Sequence, residues 1–133
     1  IDEPQPLDFH SPYGCSKGTA DQYTIDYSRI YKLRAVTFRQ SCIYGTRQFG
    51  IEDQGWVSWF IIAALMGKPI TIYGDGKQVR DILHVEDLMN AYDLAVEKIN
   101  LAKGNVYNLG GGRANSVSVL EAIDLVERTA DHL

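Results

Sequence analysis

Residues 11–39 read SPYGCSKGTADQYTIDYSRIYKLRAVTFR, and they predict a helix followed by a buried strand. Ser11 followed by Pro12 is a favoured helix start, because the serine hydroxyl caps the first turn and proline fits the first helical position. The helix is expected over residues 13–31, and residues 35–39 form a short β-prone run. A helix that leads into a buried strand is typical of an α/β protein.

Helical and extended segments continue to alternate through the rest of the chain. From apolar spacing and from the glycine, proline and serine residues at their ends, further helices are expected over residues 56–67, 86–99 and 119–129. Strands are expected over residues 70–73, 79–84 and 105–109. Because strands alternate with helices, the sequence predicts an α/β fold.

The composition is that of an ordinary globular protein and excludes several functional classes. Of the 133 residues, 45% are hydrophobic and 23% are charged, and 13 Lys and Arg against 17 Asp and Glu give a formal charge of −4. Because no basic run is present, nucleic acid is not an expected partner. The longest apolar stretch, residues 56–66, is too short to span a bilayer, so no membrane partner is expected.

Cysteine and histidine residues give no metal-binding pattern. Cys15 and Cys42 have no metal-ligand spacing, and reduced thiols in a cytoplasmic enzyme are the simplest interpretation. His10, His84 and His132 form no ligand set, so no metal is expected. His84, which precedes Val-Glu-Asp, is expected to help start a helix.

Tyr13 and Lys17 form the candidate catalytic pair. Because they are four residues apart on a helix, their side chains lie on the same face. A phenol with a pKa of about 10 is a poor base at neutral pH, and a neighbouring ammonium stabilises the phenolate. A tyrosine activated in this way can take a proton from a substrate hydroxyl while a hydride leaves for a nicotinamide. The alternative for so short a motif is an exposed, cation-bearing helix face.

Four segments in order along the chain make that pair more specific. They are SPYGCSK at residues 11–17, FRQSCIYG at 38–45, IYGDGKQVRDILHVEDL at 72–88 and VYNLGGG at 106–112. Together they resemble the extended short-chain dehydrogenases/reductases that act on nucleotide sugars, the NAD-dependent epimerase/dehydratase family. The resemblance implies part of a Rossmann-like NAD-binding domain plus a smaller α/β substrate-binding lobe.

The same resemblance implies NAD as the cofactor and assigns its contacts. Tyr13 and Lys17 are then catalytic and also touch the cofactor, and Gln40 and Ser41 lie beside it. The triple glycine at residues 110–112 lacks the Lys-Ser/Thr of a phosphate loop and is expected to form a turn.

Substrate contacts are implied at Cys42, Gln54, Tyr73 and Arg80. The planar guanidinium of Arg80 can donate two hydrogen bonds to a diphosphate, and the alternative is a surface ion pair with a neighbouring aspartate, Asp75 or Asp81. Tyr73 is expected to pack on a nucleobase, and the alternative for an aromatic residue on a short strand is a core position.

A narrower likeness lies in residues 13–23, 47–49 and 53–57, which read YGCSKGTADQY, RQF and DQGWV. These segments resemble the branch that inverts C2 of a CDP-linked sugar, so a CDP-sugar is the implied partner. Cys42 stands where many relatives have Asn, which is a better hydrogen-bonding residue. The alternatives are a 4-epimerase, 4,6-dehydratase or decarboxylase of the same family, and an inactive sugar-nucleotide-binding or dimerisation module.

The resemblance also predicts how the chain is divided. Residues 1–43 are expected to be the C-terminal part of the NAD-binding domain, and residues 44–133 the sugar-nucleotide-binding lobe, with about 79–100 returning to the first. No G-x-x-G-x-x-G loop is present, and the family's catalytic Ser or Thr is expected before Ile1. The chain is therefore expected to be an internal piece of a longer enzyme.

A homo-oligomer is the remaining expectation. The family commonly pairs through the tyrosine-bearing helix. The face of this helix that carries Tyr23, Ile25, Tyr27 and Ile30 is apolar enough to allow such a contact.

Overall fold

The computed structural model describes residues 2–130, and these divide into two compact units. Unit 1 contains the chain up to Gln40 together with Met89–Leu109, and unit 2 contains Ser41–Leu88 together with the chain from Gly110 onward. The elements in chain order are α1 (Pro12–Tyr31), β1 (Thr37–Gln40), β2 (Cys42–Tyr44), α2 (Trp56–Leu65), β3 (Val79–His84), α3 (Val85–Glu97), α4 (Ile99–Ala102), β4 (Val106–Leu109), β5 (Ser116–Ser118) and α5 (Val119–Ala130). Helices alternate with strands, and the predicted α/β class is confirmed.

Helix α1 begins as its sequence predicts. The Ser11 hydroxyl accepts a hydrogen bond from the Gly14 amide at 3.0 Å, and Pro12 occupies the first turn. The helix ends at Tyr31, and the φ of 58° at the C-cap residue, Lys32, lies in the left-handed region. Because a free amide of the first turn is satisfied by a side chain, the position of this helix start is encoded locally.

The sheet of unit 1 has two parallel strands. β1 pairs with β4, with Thr37 opposite Val106 and Gln40 opposite Leu109. The Phe38 ring lies 5.4 Å from the Tyr92 ring and 6.1 Å from the Tyr107 ring, measured between centroids. This aromatic cluster packs α3 against the sheet. The strand predicted at residues 35–39 is observed at Thr37–Gln40, so it starts two residues later than expected.

The sheet of unit 2 has three strands in the order β2-β3-β5. β3 pairs with β2 in parallel and with β5 in an antiparallel arrangement, and helices α2 and α5 pack on each other. The buried apolar side chains of this unit are Phe60, Ala63, Leu83, Leu88 and Ala122. The last helix begins with a capping box, in which Ser118 and Glu121 each accept a hydrogen bond from the other's backbone amide.

Three local expectations are wrong or shifted. Residues 70–73 are not a strand, because no strand among residues 2–130 pairs with them. β2 (Cys42–Tyr44) lies where no strand was expected. The helix expected over residues 86–99 ends at Glu97, and the short α4 follows it.

No helix among residues 2–130 is long and apolar enough to cross a membrane. Within the same residues, no group of three or more His, Cys, Asp or Glu side chains is placed to hold a metal ion. His132 lies outside the described residues. His84 accepts a hydrogen bond from the Glu86 amide at 3.4 Å, so it contributes to the start of α3.

Candidate functional site

An open cavity of about 720 Å³ in unit 1 carries the candidate catalytic pair. One face of α1 supplies its floor, β1 supplies one wall, and the segment before α1 supplies another. Phe9 of that segment lies so close to Gly18 that a β-carbon there would stand 1.8 Å from its ring. The absence of a side chain at Gly18 therefore lets the preceding segment lie against α1.

Tyr13 and Lys17 both open onto this cavity. The Lys17 ammonium nitrogen lies 5.4 Å from the centroid of the Tyr13 ring, which is a cation–π distance. Tyr13 is 64% exposed and lines the cavity. Among residues 2–130, Lys17 forms no ion pair with a carboxylate. The pair that the sequence singled out is thus adjacent, accessible and without a competing acid.

Asp21 and Arg39 form an ion pair at the edge of the same cavity. The Arg39 Nε donates to Asp21 Oδ2 at 2.7 Å and its Nη2 donates to Oδ1 at 3.0 Å, a two-point contact. The side chains are only 10% and 21% exposed. The hydrogen bond from Arg39 holds the pKa of the Asp21 carboxyl below its usual value, and the carboxylate in turn raises the pKa of Arg39. Sequence reasoning missed this pair, although a charged residue within a buried strand is a signal for one.

The Asp21–Arg39 ion pair should make the free energy of unfolding depend on pH in the acidic range. Because the folded pKa of Asp21 is lowered, its contribution is complete above the unfolded value of about 3.9 and is lost as the pH falls through the folded pKa. We expect Asp21→Asn to lower the free energy of unfolding by about 2 kcal/mol at pH 7 and by much less near pH 2. Urea unfolding of both proteins at the two pH values measures this, and an equal difference at both would contradict it.

Gln40 and Ser41, the other predicted cofactor contacts, both use their side chains within the protein. Gln40 lines the cavity of unit 1, and its amide nitrogen donates to the Tyr92 hydroxyl. Ser41 belongs to unit 2, where its hydroxyl donates to the backbone oxygen of Asp81. Each keeps acceptor capacity for a further partner.

The predicted substrate contacts all lie in unit 2. Cys42 is a half-buried residue of β2 opposite Ile82. Gln54 closes an exposed tight turn, because its backbone amide and carbonyl both bond to Ile51. Tyr73 is 69% exposed and not a core residue. Its hydroxyl donates to Glu52 at 3.0 Å, and this carboxylate raises the pKa of Tyr73.

Arg80 has no carboxylate partner among residues 2–130. Its guanidinium donates to the neighbouring carbonyl of Val79 at 3.0 Å, and the residue is exposed on β3. Asp81 instead accepts from the Gly111 amide at 2.6 Å, and Asp75 accepts from the Lys77 amide at 3.0 Å. The surface ion pair considered from sequence is therefore not formed there, and Arg80 keeps donors for an anion.

Comparisons with known proteins give a family and a similar protein for this chain. Residues 1–110 match the NAD dependent epimerase/dehydratase family. The chain is 53% identical to a CDP-paratose 2-epimerase from Salmonella typhi over 131 residues, which is 95% of this chain and 39% of that protein.

Solved structures of similar proteins superpose well on the chain. A Thermus thermophilus UDP-glucose 4-epimerase in complex with NAD has a TM-score of 0.85 at 31% identity, covering 98% of this chain and 42% of that one. A Bacillus anthracis dTDP-glucose 4,6-dehydratase in complex with NAD has a TM-score of 0.83 at 34% identity, covering 96% and 39%. The chain thus spans about two fifths of the length of each of these three proteins.

Proposed function

This chain belongs to the NAD dependent epimerase/dehydratase family, and we propose that it is part of an enzyme that inverts one carbon of a nucleotide sugar. The substrate proposed is CDP-paratose, converted at C2 to CDP-tyvelose through a transient keto sugar. The observation that carries the proposal is the Tyr13–Lys17 pair on an open cavity, within a chain 53% identical to a CDP-paratose 2-epimerase.

The residues of the cavity fit a nicotinamide cofactor. Tyr13 and Lys17 offer a hydroxyl and a free ammonium at an accessible face, and Gln40 lines the same space. The cofactor proposed is NAD, which when bound accepts a hydride from the sugar carbon and returns it to the opposite face. Unit 1 is accordingly proposed to belong to the NAD-binding domain and unit 2 to the sugar-nucleotide lobe.

Tyr13, assisted by Lys17, is proposed to transfer the proton of the sugar C2 hydroxyl. The Lys17 ammonium stabilises negative charge on the Tyr13 oxygen, so that Tyr13 can accept the proton of the C2 hydroxyl at neutral pH. Tyr13 then holds that proton while the keto sugar presents its other face, and it gives the proton back to the new hydroxyl. The two half-reactions therefore leave Tyr13 and Lys17 in their starting state.

Binding of the diphosphate is proposed for Arg80. Its guanidinium is exposed, carries no carboxylate partner among residues 2–130, and can make two hydrogen bonds to phosphate oxygens. Stacking on the base is proposed for Tyr73, and its exposure supports this role. Cys42 and Gln54 are proposed as weaker substrate contacts.

Substrate choice is tested on the full-length enzyme. Incubation with CDP-, UDP- and dTDP-linked sugars, followed by NMR of the products, should give inversion at C2 of CDP-paratose and little turnover of the other two classes. A 4-epimerised UDP-sugar as the main product would replace the proposed substrate while leaving the family chemistry intact. A dehydrated dTDP-sugar would indicate the dehydratase branch instead.

A homo-oligomer is proposed to form through the exposed face of α1. Tyr23, Tyr27 and Tyr31 stack along it, with ring centroids 6.2 and 5.0 Å apart. Ile30 is exposed beside them, whereas Ile25 is half-buried and lies on another face. Exposed aromatic side chains of this kind are typical of contact surfaces between proteins.

A further inference from the structure

Three residues of α1 line the cavity at helical spacing, and only two of them have a proposed role. Tyr13, Lys17 and Asp21 follow one another at intervals of four residues, so they share one helix face. A carboxylate four residues from Lys17 is positioned to pair with its ammonium. Such a pair would draw positive charge away from Tyr13.

The structure shows that Asp21 is already engaged. Its two carboxylate oxygens accept from Arg39 at 2.7 and 3.0 Å, and Oδ1 also accepts from the Gln22 amide at 2.8 Å. With three donors on a side chain that is 10% exposed, little of the carboxylate remains for Lys17. The Lys17 ammonium instead stands over the Tyr13 ring.

Arg39 is itself held in place from a second side. Its Nη1 donates to the Glu3 carbonyl at 2.8 Å, and the Glu3 carboxylate accepts from the Asn108 amide at 2.8 Å. The guanidinium is therefore fixed between α1, the β1–β4 sheet and the segment before α1. Such a fixed fork pairs with a carboxylate at a smaller entropic cost than a free side chain.

We propose that Arg39 is a positioning residue for the reaction, because by pairing with Asp21 it withholds that carboxylate from Lys17 and keeps the ammonium beside Tyr13. This inference rests on the proposed function, since it assigns a purpose to an ammonium next to the base. It predicts that the charges of Asp21 and Arg39 offset each other at Tyr13 while the two side chains are paired, and that either charge left alone shifts the ionisation of Tyr13.

The other charged groups nearby do not alter this balance. The titratable or cationic residues that line the cavity are Tyr13, Lys17, Asp21 and Arg39. Glu3 lies behind Arg39 and is satisfied by the Asn108 amide, which lowers the pKa of its carboxyl. In the segment before α1, Asp8 and His10 pair with each other at 3.3 Å and are solvated.

The test uses four variants of the full-length enzyme: Arg39→Gln, Arg39→Lys, Asp21→Asn and the double variant that combines Arg39→Gln with Asp21→Asn. Two readouts are recorded: the pH dependence of kcat/KM, and the ionisation of Tyr13 by NMR of ζ-13C-tyrosine. The Tyr13 signal is identified as the one missing from Tyr13→Phe. Both readouts give a midpoint that depends on the charge around the Tyr13 phenol. If Arg39 only stabilised the fold, its replacement would leave these midpoints unchanged.

Opposite shifts are expected from the two single variants. Arg39→Gln leaves Asp21 unpaired and should move both midpoints to higher pH by about 0.3 to 1 unit. Asp21→Asn leaves a positive Arg39 and should move them to lower pH. The double variant removes both charges and should return them to the wild-type position, even if its stability is lower.

Identical midpoints in all variants, with losses only in kcat or stability, would overturn the proposal. Should Arg39→Gln not fold, Asp21→Asn still decides the matter, because an unchanged Tyr13 midpoint in it contradicts the idea equally. Arg39→Lys, which keeps the charge, should titrate as the wild type does. Normal turnover by Tyr13→Phe would refute the proposed function instead, and the NMR titration distinguishes the two failures.

Discussion

Tyr13→Phe in the full-length enzyme should lower kcat by about two to four orders of magnitude, because it removes the group proposed to carry the proton. The ring, its place in the cavity and its contact with Lys17 are kept. The loss should therefore fall on kcat, with nucleotide-sugar binding largely unchanged. Steady-state kinetics together with equilibrium binding of the nucleotide sugar would measure both quantities.

Tyr23→Phe is the matched control for this experiment. Tyr23 lies on the same helix and is as exposed as Tyr13, at 63% against 64%, but it does not line the cavity. Tyr23→Phe removes the same hydroxyl without touching the proposed proton path, and it keeps the aromatic ring of the proposed contact between subunits, so near-normal turnover is expected. A Tyr13→Phe enzyme that retains comparable turnover would remove Tyr13 from the mechanism.

Local sequence signals predicted the parts of the fold that are encoded locally. The Ser11 cap with Pro12 placed the start of α1 within one residue, and Gly67 ends α2 with a φ of 62° as a stop signal should. The prediction of a strand at 70–73 was wrong because a β-strand needs a partner strand, and the part of the chain that the structure describes supplies none there. β2 was missed for the converse reason, since its three residues become a strand only through β3.

In the candidate site, too, the contacts between residues close in sequence were predicted and those that depend on the fold were not. Tyr13 and Lys17 were predicted because four residues on a helix fix their proximity without any knowledge of the fold. The Asp21–Arg39 contact joins residues 18 apart and depends on β1 lying beside α1, which helical spacing alone does not give. The structure also places Arg80 without the acidic partner that its two aspartate neighbours suggested.

The turn at residues 110–112, after β4, was predicted from its three glycines, but its contact with β3 was not. Gly111 donates its amide to the Asp81 carboxylate at 2.6 Å and passes directly over β3. A β-carbon at Gly111 would stand 1.9 Å from the backbone oxygen of Ile82, and one at Gly110 would stand 2.2 Å from an Asp81 carboxylate oxygen. Glycine at residue 111 therefore allows a close approach of two backbones, and glycine at residue 110 leaves room for the Asp81 carboxylate.

Gly111→Ala should thus be among the most destabilising single substitutions in unit 2. The obstacle is a backbone carbonyl within the central strand of the sheet, which cannot rotate away as a side chain can, so the strand or the turn must move. We expect a loss of about 3 kcal/mol or more in the free energy of unfolding, measured by urea denaturation. Breaking the amide contact with Asp81 adds to that loss.

Gly74→Ala separates this steric effect from the general cost of replacing a glycine. At Gly74 the φ is 85° and nothing lies within 4 Å of an added β-carbon, so only backbone strain of about 1–2 kcal/mol is expected. The loss for Gly111→Ala should exceed the loss for Gly74→Ala, because the clash with the Ile82 carbonyl adds to any effect of the substitution on the unfolded chain. Equal losses at the two positions would mean that the turn yields freely, and the close packing of residues 110–112 on β3 would then contribute little to stability.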